Sequence, residues 1–109
     1  MGTVYKVLGQ QNPSANTAVT LYTVPSSTST IASTLNVCNL GTTASTFRVA
    51  VRPAGATLAN VHYITYDTNL PANDSIAMTM GLTLATTDIV TVYANTANVN
   101  FSLFGTELS

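Results

Sequence analysis

The sequence predicts an all-β fold, a single-domain antiparallel β-sandwich of about eight strands in jelly-roll or immunoglobulin-like order. Three observations predict it. Apolar and polar residues alternate at period two almost everywhere, and no window keeps a 3.6-residue period. Turn-forming clusters rich in Gly, Pro, Asn and Asp interrupt the alternation at short intervals. Roughly a fifth of the residues are Thr, which with Val favours strands because branching at Cβ suits a pleated surface.

The elements follow in order. Thr3 to Leu8 is the first expected strand, and the Pro/Asn/Ser-rich stretch 10–16 the first loop. Ala18 to Val24 is the second, stopped by Pro25, with a polar turn or frayed strand start in residues 26–30. Ile31 to Asn39 is the third, with Ile31, Ser33, Leu35 and Val37 on one face and Ala32, Thr34, Asn36 and Cys38 on the other. After a turn at residues 40–43, Thr46 to Arg52 points Phe47, Val49 and Val51 one way and Arg48, Ala50 and Arg52 the other. Pro53 to Ala56 ends it. Val61 to Asp67 is the fifth strand, and Leu70 to Asp74 a turn. Ser75 to Met80 is the sixth, with Ile76, Met78 and Met80 inward and Gly81 at its end. Asp88 to Ala94 and Val99 to Gly105 complete the set, the last with Val99, Phe101 and Leu103 on one face. Eight residues are expected in the core: Phe47, Val49, Val51, Ile76, Met78, Val92, Phe101 and Leu103. No Cys…Trp…Cys pattern of true immunoglobulin domains is present, since there is no Trp.

At 109 residues there is room for one domain, 1–109, and one core. Charged residues are 6% of the chain, against a usual value of about 25%. A surface of Thr, Ser, Asn and Ala loses little on desolvation, because no charge has to be stripped of water. The composition therefore suits a chain covered by copies of itself or by a partner, with a stable, lightly charged monomer as the alternative. Lys6, Arg48 and Arg52 are the only Lys or Arg residues, too few and too scattered for nucleic acid or an anionic membrane to be expected partners.

No chemistry-bearing constellation stands out. Cys38 is the only cysteine and is expected as a buried, inert thiol. No metal or cofactor site is expected. A triad would have to use His62, the only histidine, and there is no G-x-S-x-G elbow. Asp67, Asp74 and Asp88 fall at strand ends or turns, where Asp bonds local backbone N–H groups. The chain start lacks a signal-peptide pattern, so synthesis in a reducing cytoplasm is expected. Arg48 and Arg52, His62, Tyr63 and Tyr66 are the candidate interface residues. The arginines are expected either to pair with carboxylates of a neighbouring subunit or to pair within the chain with Asp67 or Asp74. Tyr5, Tyr22 and Tyr93 are possible further anchors.

Residues 5–10 (YKVLGQ), 21–25 (LYTVP), 47–53 (FRVAVRP), 62–64 (HYI), 82–84 (LTL) and 88–94 (DIVTVYA) carry a resemblance across nearly the whole chain. Together they resemble small virion proteins of tailed bacteriophages, described as tail, fibre or decoration proteins. The resemblance implies a β-sandwich with an assembly role and no enzyme activity, located in the virion. A capsid decoration or cement protein is the leading expectation, a homo-oligomer such as a trimer that contacts the major capsid protein. A tail, baseplate or fibre component bound to tail proteins is the second, and a glycan-binding module the third.

Overall fold

The computed structural model describes residues 2–109. Its strands are β1 (Thr3–Gln11), β2 (Val19–Thr23), β3 (Ser29–Asn39), β4 (Ser45–Arg52), β5 (Tyr63–Leu70), β6 (Ser75–Leu84), β7 (Ile89–Ala94) and β8 (Val99–Leu108). They form two four-stranded sheets, ordered β1-β8-β3-β6 and β2-β7-β4-β5. Partners nest antiparallel: β1 with β8, β2 with β7, β3 with β6, β4 with β5. One long hairpin rolled upon itself produces this pairing, which is the jelly roll and not the immunoglobulin order.

The period-two pattern places the core. Phe47, Val49, Val92, Phe101 and Leu103 are fully buried, as the alternation requires. Phe47 of one sheet meets Phe101 of the other edge-on, ring centroids 6.1 Å apart. Val51, Ile76 and Met78 are only half-buried and pack against the core from its margin. Leu70, expected in a turn, is the last residue of β5 and is fully buried. Gly81 does not end β6, which runs on to Leu84.

Strict alternation fails in β3. The register with β8 slips between Ala32 and Thr34, a β-bulge at Ser33. Thr30 and Ala32 face inward before the slip, Leu35 and Val37 after it. Ile31 is therefore outside and 44% exposed, not beside Leu35. Gly105 lies opposite Ala32 next to the slip, and a Cβ there would collide with the Ile31 carbonyl oxygen. The two backbones approach this closely only because residue 105 has no side chain.

Polar groups close both ends of the core. At one end the Tyr22 hydroxyl of β2 donates to Glu107 Oε2 of β8 at 2.5 Å and lies 2.7 Å from Thr30 Oγ1 of β3. Lys6 Nζ joins the same carboxylate at 3.4 Å. Tyr22 is thus an internal link between the sheets and not an exposed anchor. At the other end buried Asn39 donates to the carbonyls of Thr43, Leu70 and Pro71, while its Oδ1 accepts the Gly41 N–H at 2.9 Å. One side chain so fastens two turns by supplying hydrogen-bond partners to their backbone groups.

The outer face of the β1-β8-β3-β6 sheet follows from its register. Tyr5, Thr106, Ile31 and Thr83 form one row across the strands. Val7, Phe104, Thr34 and Thr79 form the next, and Gln10, Ser102, Asn36 and Ala77 a third. No residue in these rows is charged. The two charged residues of the four strands, Lys6 and Glu107, alternate to the opposite side. Cys38 shares the outward phase, opposite Ser75 and Asn100, and is half-exposed instead of buried.

Candidate functional site

The other sheet carries a cluster on its outer face, and a bulge builds it. Thr68 of β5 faces Phe47 of β4, and Thr65 faces Val49. Two residues of β5, Tyr66 and Asp67, therefore stand opposite the single residue Arg48. Asp67 takes a left-handed conformation, φ 50°, which Asp tolerates better than most residues. The Thr65 and Thr68 hydroxyls hydrogen-bond to each other across the bulge.

Both bulged residues engage Arg48. Arg48 Nε donates to Asp67 Oδ1 at 2.7 Å and Nη2 to Oδ2 at 3.3 Å, a fork on a carboxylate. The Tyr66 ring lies 4.1 Å from the guanidinium carbon. On the other flank Tyr93 of β7, the direct cross-strand neighbour of Arg48, lies 4.2 Å away. The cation is thus held between two aromatic faces and gripped at its edge. Asp67 raises the guanidinium pKa still further, so the charge persists at every accessible pH. Tyr63 meets Tyr66 edge-on at 4.9 Å, and Tyr93 donates its hydroxyl proton to Asn16 Oδ1 at 2.8 Å. Asn60, Tyr63 and Tyr66 line an open recess of about 440 Å³.

Of the five expected interface residues, Arg48, Tyr63 and Tyr66 come together. Arg48 pairs within the chain, the second of the two expectations. Arg52 stands further along the same strand face, half-buried, and makes no ion pair among the described residues. Its Nε is enclosed without a hydrogen-bond partner. His62 does not lie in a strand. It ends a 3₁₀ turn, Asn60–His62, and its Nδ1 accepts the Ala59 N–H at 3.0 Å. That turn and a second, Pro53–Gly55, lie against β4 and β7. Ala50, on the outward phase of β4, is fully buried on that side.

The remaining carboxylates follow turn chemistry. Asp88 accepts the N–H groups of Ala54 and Ala85, both at 2.8 Å, and Asp74 accepts that of Ser75 at 2.8 Å. Asp67 departs from that expectation because the bulge turns it towards Arg48. Sequence reasoning did not foresee Tyr93 as the second ring on Arg48. The outward phase of β7 was its only signal, and the pairing of β7 with β4 completes it.

No protein-family model matches the chain, and no curated relative matches it. Among solved structures it is similar to chains of infectious bursal disease virus. For the Gx strain the TM-score is 0.57 at 11% identity, covering 97% of this chain and 32% of that one. For the Gt strain it is 0.52 at 9% identity, covering 97% and 30%. The chain thus spans about a third of the virus chains it matches, and the likeness is one of fold.

Proposed function

We propose that this chain is a structural protein of a virus particle, a decoration or cement protein that associates with itself and stabilises a shell. The observation that carries the reading is a jelly roll with one sheet face free of charge. The fold likeness to chains of a virus supports it. Those chains come from an animal virus, so assignment to a tailed bacteriophage rests on the sequence resemblance alone.

A protein that binds only the assembled shell stabilises that shell by mass action. On this reading the Arg48–Tyr63–Tyr66 side, with Arg52 and His62 beside it, is the contact surface towards the shell. The guanidinium has five N–H donors, and Asp67 takes two. Tyr and Arg are the residue types that anchor interfaces. The test uses purified particles stripped of the protein. Their heat resistance should drop and return on adding it back, and unchanged resistance would reject the cement role. Copy number separates capsid from tail: hundreds of copies per particle suit a shell, a few dozen or fewer a tail, baseplate or fibre. The open recess at Asn60, Tyr63 and Tyr66 favours a second reading, glycan binding. It requires glycan-array binding that disappears in Tyr66→Ala.

A further inference from the structure

We infer that the outer face of the β1-β8-β3-β6 sheet is the surface through which two copies of this chain associate, face to face. The inference rests on the self-association in the proposed function and names the surface that performs it.

Charge is the first argument. The outward rows of this sheet hold no Asp, Glu, Lys, Arg or His, whereas the opposite sheet bears Arg48, Arg52 and Asp67. A contact between identical surfaces places each residue near its own copy or that of a neighbour. Any charge near the axis would then face its like, a cost of several kcal/mol. A neutral face removes that penalty. It also offers nothing to pair with a charged foreign surface, so the chemistry matches a second copy of itself.

Apolar exposure is the second. Tyr5 is 82% exposed, Val7 47%, Ile31 44% and Phe104 37%, in two adjacent rows. Val7 and Phe104 are direct cross-strand partners. The bulge at Ser33 is what turns Ile31 outward into this patch. Thr34 and Thr79 flank it and hold no charge to desolvate.

Area is the third. Four strands about 4.8 Å apart, each offering about eight residues at about 3.3 Å, span roughly 19 by 26 Å, about 500 Å² in projection. Side-chain relief enlarges the accessible area towards the roughly 800 Å² per partner of a standard interface.

The experiment measures the mass of the purified chain by sedimentation equilibrium across concentration. Thr34→Lys and Thr79→Lys place one cation each in the patch at exposed or half-exposed sites, where folding survives and circular dichroism verifies it. Thr20→Lys, outward on the opposite sheet, is the control. Wild type and Thr20→Lys should associate, and the two face variants should weaken association by about 100-fold or more. If wild type associates and the face variants do so equally well, this inference is overturned while the virion reading stands. A wild type that stays at 11.4 kDa at every concentration also overturns it. The shell-binding assay then decides the virion reading separately.

Discussion

Tyr22 shows how one side chain can be committed to the interior. Its ring is buried among the core strands while its hydroxyl reaches Glu107 and Thr30. Burial, and then the neighbouring Glu107 carboxylate, push its pKa up to about 12 from the ordinary 10. Below pH 10 both folded and unfolded chains keep the proton, so stability is full there. Between pH 10 and 12 the unfolded chain ionises first, and stability falls as pH rises through that window. The loss should reach about 1–2 kcal/mol, the partly solvated hydroxyl reducing the full linkage value. Urea denaturation at pH 9 and pH 11.5 measures it against Tyr22→Phe, which should lack this part of the dependence. Equal pH dependence in the two proteins would refute the buried-hydroxyl account.

Single elements owe their outward chemistry to places where alternation breaks. The bulge in β5 sets Tyr66 and Asp67 around Arg48, and the one in β3 exposes Ile31. Two glycines show which breaks are sterically required. At Gly105 an added Cβ meets the backbone of Ile31 and Ala32, so Gly105→Ala should cost about 1–3 kcal/mol or more. At Gly81 an added Cβ meets nothing within 4 Å, so Gly81→Ala should be neutral or stabilising by about 0.5 kcal/mol. Chemical denaturation of the two variants decides between this and a general intolerance to side chains in the sheet. A Gly105→Ala protein as stable as wild type would mean that β3 and β8 are not packed as described.

The molecule as a whole is organised around the last strand. β8 lies between β1 and β3 and supplies buried Val99, Phe101 and Leu103. A chain ending at Asn98 would lose the partner of two strands and one side of the Phe47–Phe101 contact. Such a chain should show no cooperative thermal transition by near-ultraviolet circular dichroism. A retained sharp transition would contradict the nested strand order. Because β1 pairs with β8, nearly the full chain length separates partners, which suits the slow folding typical of non-local β topologies.

By itself the sequence determined the fold class, the presence of eight strands, and the inward set led by Phe47, Val49, Phe101 and Leu103. Those follow from local alternation, since neighbouring side chains on an extended backbone point to opposite faces. The outward placement of Arg48 and the grouping of Tyr63 with Tyr66 were also legible, because polar and aromatic groups interrupted otherwise apolar strands. Only the tertiary structure decided the jelly-roll order, the slip at Ser33, the Tyr93 stack on Arg48 and the inward turn of Tyr22. Each depends on which distant strand lies alongside and in what register. That choice is made by packing and backbone pairing across the whole chain, where a slip of one residue reverses every side chain beyond it.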